Sequence, residues 1–170
     1  MTELETQIAD HRAAIDEFIA AARAVETSRW NTPRAEGAWS PGQVAEHLAI
    51  IYQYNRTVAT GTAPSPILWL LRPIVQRLAR GVVVTSTLKA GRFTRKGRAP
   101  RVFQPPATAA SSADVLARID AGVRGFEADI RSRHPEARRT IVHPIFGEIA
   151  TIDWVRLQAI HVRHHLSQLT

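Results

Sequence analysis

Residues 39–55 read WSPGQVAEHLAIIYQYN, and residues 143–169 read HPIFGEIATIDWVRLQAIHVRHHLSQL. In the first stretch Ser40 is a favoured N-cap, and Gln43 completes a capping-box pattern. Pro41 suits the first helical position, where its missing N–H would have no intrahelical partner anyway. Val44, Leu48, Ile51, Tyr54 and Val58 then recur at helical spacing, and the helix is expected to stop near Gly61, before Pro64 and Pro66. His47 is in phase with Val44, Ile51 and Tyr54, so it points to the core, where an unpaired polar group costs free energy. The second stretch predicts a helix from about 151 to 169 with Thr151 as its cap. Trp154, Leu157, Gln158, His161, His165 and Gln168 share one stripe of it.

Two further segments carry the same periodicity. Leu4, Ile8, Ile15, Phe18, Ile19 and Ala22 predict a helix over 2–25; Val115, Ile119, Val123, Phe126 and Ile130 predict one from 111 or 112 to 133. Gly122 and Gly125 weaken the latter in isolation, so packing has to stabilise it. Between these lie a loop over 27–39 and a shorter amphipathic segment over 67–79, kinked or split by Pro73. An irregular stretch follows over 80–110, and a connection with Pro135, Pro144 and Gly147 precedes the last helix. Residues 82–87 are strand-like but have no partner strand. Long amphipathic helices must bury their stripes against one another, and an all-α four-helix bundle is the usual solution.

The chain has 170 residues, which fits one domain over 1–170, and a domain of this size buries roughly 70% of the surface its unfolded chain exposes. It has no cysteine, which excludes disulfides, thiolate ligands and a nucleophilic thiol from the protein itself. The N-terminus carries acids where a signal peptide needs a basic start, and no apolar run approaches the roughly 20 residues of a membrane span. A soluble, cytoplasmic protein is expected. Abundant Ala and Arg with little Lys fit a GC-rich bacterial genome. The net charge is +7, and no acid occurs between Glu46 and Asp114, where ten Lys and Arg residues fall. Over 89–101 these form a basic loop, expected at the rim of a site, where it would attract an anionic substrate, or at a subunit contact. Nucleic-acid binding is not expected: the stretch lacks interleaved aromatics and a helix-turn-helix pattern.

The histidines carry the chemistry. His161 and His165 are four apart on a helix, which sets both imidazoles on one face, close enough to share an ion. His164 also has contact spacing to His161. With the inward His47, three imidazoles from two helices would suit zinc, nickel, cobalt or ferrous iron and leave a coordination position open, as catalytic sites do. A metal-free polar network is the bland alternative. His11, in phase with Leu4, Ile8, Ile15 and Phe18, is either a fourth ligand or an inward hydrogen-bonding partner.

The two quoted motifs together resemble the DinB-like superfamily, which includes the YfiT-like metal-dependent hydrolases, bacillithiol transferases and mycothiol-dependent maleylpyruvate isomerases. The resemblance implies a divalent metal held by His47, His161 and His165, and His164 with Gln168 resembles the family's HH-x-x-Q ending. It also implies a bundle with a long crossover between the second and third long helices, with which residues 61–110 are compatible. The arginine-rich loop departs from the transferases. The expected function is a metalloenzyme that activates water or a small-molecule thiol, of hydrolase or thiol S-transferase type, with zinc or nickel and a low-molecular-weight thiol cosubstrate. His143 is the candidate acid or base. The competing expectation is a non-catalytic metal-binding or stress-response bundle. A small-molecule substrate is the expected partner, and a homodimer is left open.

Overall fold

The computed structural model describes residues 1–64, 71–94 and 99–169. Among them run α1 (Glu3–Arg23), the short α2 (Thr27–Trp30), α3 (Pro41–Ala59), α4 (Arg72–Ala79), α5 (Ser86–Ala90), α6 (Ser112–Arg133), strands β1 (Thr140–His143) and β2 (Gly147–Ala150), and α7 (Thr151–Leu166). The protein is an all-α four-helix bundle of α1, α3, α6 and α7. A long crossover joins α3 to α6, and one small hairpin precedes α7.

The cap chemistry read from residues 40–43 is formed in full. The Ser40 hydroxyl accepts from the Gln43 N–H, and the Gln43 side chain accepts in return from the Ser40 N–H. Thr2 and Ser111 cap α1 and α6 by the first of these bonds alone, accepting from the Glu5 and Asp114 N–H groups. Thr151 does not cap α7. The cap position is Ala150, and Thr151 instead donates both its N–H and its hydroxyl to the Arg139 carbonyl, tying the helix start to the chain before β1.

Packing pairs α1 with α7 and α3 with α6, and α1 touches α6 more lightly. Their facing stripes meet in a core that includes Ile8, Ile15, Phe18, Leu48, Tyr52, Ile119, Phe126 and Trp154, each with essentially no exposed surface. Each such side chain contributes about 1.5–3 kcal/mol relative to leaving it in water. The stripe of α3 is wider than the spacing suggested: Ala45, Ala49, Tyr52 and Asn55 are buried, while Ile51 and Tyr54 are half-exposed.

Four regions differ from the sequence expectation, the first being the loop over 27–39, which opens with the short helix α2. Pro73 starts α4 rather than kinking a longer helix, because the missing N–H falls in a first turn; residues 65–70 lie outside the described residues. On α4, Ile74 and Leu78 are exposed, so its apolar stripe is not buried among the described residues. Residues 82–87 are no strand: a π-helical stretch, Arg80–Thr85, carries α4 into α5, with Val84 buried. The connection after α6 is an antiparallel hairpin in register Thr140↔Ala150 to His143↔Gly147, closed through Gly147 at φ 70°, a conformation open to glycine.

The late crossover is clamped onto the start of α3. Buried Glu46 accepts from the Ala110 N–H at 3.1 Å and from the Arg118 guanidinium at 2.7 Å. Trp30 donates its indole N–H to the Ala110 carbonyl at 2.8 Å, and Asn31 exchanges two hydrogen bonds with Ala109. Gln43 donates to the Pro106 and Ala107 carbonyls. The contact is close because residue 42 is glycine: a Cβ there would lie 2.7 Å from the Ala109 Cβ and 2.9 Å from the Trp30 carbonyl oxygen. At the other end of the crossover, Gln76 on α4 donates to the Pro144 carbonyl at the hairpin turn. No described helix is long and apolar enough to cross a membrane.

Candidate metal centre

Three imidazoles meet inside the bundle. His47 comes from the first half of α3; His161 and His165 come one turn apart from the end of α7. His47 Nε2 lies 3.4 Å from His161 Nε2, and His165 Nε2 lies 3.0 Å from the same atom. One nitrogen of each ring falls within 4.8 Å of the other two. His47 and His165 are buried and His161 half-buried.

Hydrogen bonds on the far side of two rings fix what these nitrogens are. His47 Nδ1 lies 2.7 Å from the Phe103 carbonyl oxygen, which can only accept, so Nδ1 carries the proton and Nε2 a lone pair. His165 Nδ1 stands 2.8 Å from Gln168 Oε1, with the same consequence. Desolvation is the main reason all three rings stay neutral. It lowers His47, partly opposed by the Phe103 carbonyl. It lowers His165 to about 3, with His47 adding to the effect and Gln168 opposing it. It holds His161 well below the ordinary imidazole value, reinforced by His165 and His47. The neutral form is the one that ligates.

This donor set fits a divalent cation. A metal-free network is under-supplied, since His161 Nε2 has at most one proton to share between two facing lone pairs. A cation would satisfy all three. Two nitrogens each about 2.1 Å from a tetrahedral zinc stand roughly 3.4 Å apart, close to the observed spacings. Among the described residues the group has three such members, with no fourth His, Cys, Asp or Glu.

Aromatic rings from the connecting segments enclose the cluster. Trp39 sits 5.0 Å from the His47 ring and stacks on His165 at 6.3 Å. Phe93, from the basic segment after α5, meets His161 at 5.7 Å and His164 at 5.2 Å edge-on. The part of the basic loop that is described therefore borders the site; residues 95–98 of it lie outside the described residues. A basic loop at the rim was the expectation, but the Trp39 and Phe93 ring contacts were not foreseen from the sequence. Trp39 had a signal, since an apolar residue just before an N-cap commonly packs back on its helix. Phe103 acts through its backbone carbonyl, which no side-chain pattern announces.

The remaining histidines lie outside the cluster. His11 is an inward hydrogen-bonding partner and not a ligand: its Nε2 is 2.6 Å from the Tyr52 hydroxyl and its Nδ1 3.2 Å from Glu127. Burial pushes Glu127 up, but hydrogen bonds from His11 and Arg12 hold it below its ordinary value. His143 is in β1, where its Nδ1 accepts the N–H groups of Ile145 and Phe146 while its ring stacks on Phe146 at 4.6 Å. Tyr54 lies between it and Phe103, with ring separations of 6.1 and 4.9 Å. His164 is exposed beside the cluster and accepts from the Gln168 amide at 3.2 Å. On the stripe of α7 that carries His161 and His165, Trp154 Nε1 and Gln158 Oε1 are buried without a hydrogen-bond partner among the described residues, as is Asn55 Nδ2 on α3. A groove of about 820 Å³ between α1 and α6 and another of about 360 Å³ beside β2 contain none of the three histidines.

The family model described as the DinB superfamily matches residues 10–169. The chain belongs to the DinB superfamily. Two solved structures share this DinB bundle. One, TT2238, described as a four-helix bundle protein, is 23% identical with a TM-score of 0.60, over 98% of this chain and 97% of its own. The other, YfiT from Bacillus subtilis, described as a probable metal-dependent hydrolase with an unusual four-helix bundle topology, is 16% identical with a TM-score of 0.59, over 97% of this chain and 82% of its own. At these identities the likeness establishes the fold alone. No curated protein matches the sequence.

Proposed function

We propose that this DinB-superfamily protein is a cytoplasmic metalloenzyme in which His47, His161 and His165 hold one divalent ion, zinc or nickel. The observation that carries it is the convergence of three neutral Nε2 atoms, two of them fixed as lone pairs by Phe103 and Gln168. When bound, such an ion acts as a Lewis acid that lowers the pKa of water or of a thiol. The chain's own residues do the rest. Three ligands rather than four favour an open position over a closed structural site. Trp39 packs against the His47 ring and Phe93 against the His161 ring. The acid-free crossover favours an anionic small-molecule substrate. Because the chain has no cysteine, thiol transfer would take its sulfur from a low-molecular-weight cosubstrate. The YfiT likeness favours hydrolysis. His143 serves as acid or base only through Nε2 in this reading, because its Nδ1 already accepts two backbone N–H groups at the hairpin turn.

Turnover of activated carboxylic esters, and of an electrophile with an added thiol, tests this assignment. Both assays are run on protein loaded with zinc or nickel and on chelator-stripped protein. Turnover that requires the ion and disappears in His165→Ala supports it. Tight metal binding with no turnover in either assay favours the non-catalytic binding protein instead.

A further inference from the structure

Gln168 follows α7 by two residues, and its side chain reaches two adjacent imidazoles at once, because it is three residues from His165 and four from His164. Its Oε1 accepts from His165 Nδ1 at 2.8 Å, and its Nε2 donates to His164 Nε2 at 3.2 Å. The backbone beneath it is tied down. The Gln168 N–H donates to the His165 carbonyl at 3.0 Å, and the Ser167 hydroxyl to the His164 carbonyl at 2.8 Å. The next residue, Leu169, is buried in the core and donates its N–H to the Leu166 carbonyl.

The orientation of that amide decides what His165 can do. With Oε1 toward His165, the ring proton sits on Nδ1 and Nε2 faces His161 as a lone pair, 3.0 Å away. Reversed, the amide would present N–H groups to Nδ1, drive the proton onto Nε2 and block the nitrogen that faces the cluster. The observed orientation also pairs the amide N–H with His164 Nε2, so a reversal requires His164 to move its own proton onto Nε2. His47 needs no such device, because a backbone carbonyl cannot be turned into a donor.

We propose that Gln168, its amide held in one orientation by His164, is a positioning residue that fixes His165 in the tautomer able to ligate. The proposal rests on the three-histidine centre. It gives His164 a part in the site without making it a ligand. Outer partners of metal-bound histidines commonly alter affinity in this way.

Zinc affinity of chelator-stripped protein, measured by competition with a chromophoric chelator, tests it in native protein, Gln168→Leu, Gln168→Glu, His164→Ala and His165→Ala. Metal-free melting temperatures are recorded in parallel. Gln168→Leu is expected to weaken zinc roughly 10–100-fold with little change in the metal-free melting temperature. Gln168→Glu, whose carboxylate accepts at Nδ1, restores affinity. His164→Ala loses less than Gln168→Leu, because the amide is freed but not removed. Long-range nitrogen–proton NMR of native metal-free protein should show the His165 proton on Nδ1. Native affinity in Gln168→Leu, or an Nε2-protonated His165, overturns the proposal. If Gln168→Leu fails to fold, a Gln168→Glu variant that binds as weakly as His165→Ala overturns it. Unchanged zinc binding in His165→Ala would instead sink the three-histidine centre itself.

Discussion

A single side chain in this protein is decided by what faces each of its nitrogens. His143 shows it outside the three-histidine cluster. Its Nδ1 accepts two N–H groups, and its ring is buried against Phe146 and Trp154, so desolvation lowers its pKa to about 4. The unfolded chain takes up the proton near 6.5, the folded one only near 4, so the unfolded state binds more protons in between. The stability that His143 contributes is present above about pH 6.5 and is lost as pH falls towards 4, on the order of 3 kcal/mol in all. Urea unfolding of metal-free native protein and of His143→Asn, whose amide oxygen can still accept, should show a shallower loss between pH 7 and 4.5 in the variant. Identical pH dependence would assign the acid sensitivity to the buried histidines of the cluster alone. At this scale the sequence was partly legible. The phase of His47 on α3 and the four-residue step from His161 to His165 identified the three rings that meet. The tautomers were not legible, because one of them is set by a carbonyl 56 residues from His47.

At the scale of elements, the four long helices could be read because their stripes and caps agree: Ser40 and Gln43 form the box their spacing implies. The hairpin could not be read, since four-residue strands around Pro144 and Gly147 look like a loop until they pair. The Val82–Val84 run misled for the opposite reason. Its β-branched residues favour a strand, but among the described residues no partner strand faces them, and helical continuation from α4 to α5 buries Val84 instead. The joint that matters most for the site is the one at Gly42. A methyl group there would press on Ala109 and on the Trp30 carbonyl, pushing away the crossover end that also carries the Glu46 hydrogen bond. Gly42→Ala should therefore destabilise the protein by about 1–3 kcal/mol, although alanine is the better helix former. A denaturation midpoint equal to or above the native one would show that this joint yields without cost.

For the whole molecule, the cluster joins α3 to α7, two helices that belong to different packing pairs. An ion bound there ties the α1–α7 pair to the α3–α6 pair and stabilises only the folded state. At free zinc a thousandfold above the dissociation constant, the gain is about 4 kcal/mol, or on the order of 10 °C in melting temperature. Chelation should remove that gain. The most direct measurement is the metal content and zinc-dependent melting of protein purified without a metal-binding tag, in native, His164→Ala and His165→Ala forms. The account predicts one ion per chain and a chelator-sensitive melting temperature in the native and His164→Ala proteins, and neither in His165→Ala. No stoichiometric metal in any form, or a full complement in His165→Ala, would contradict it.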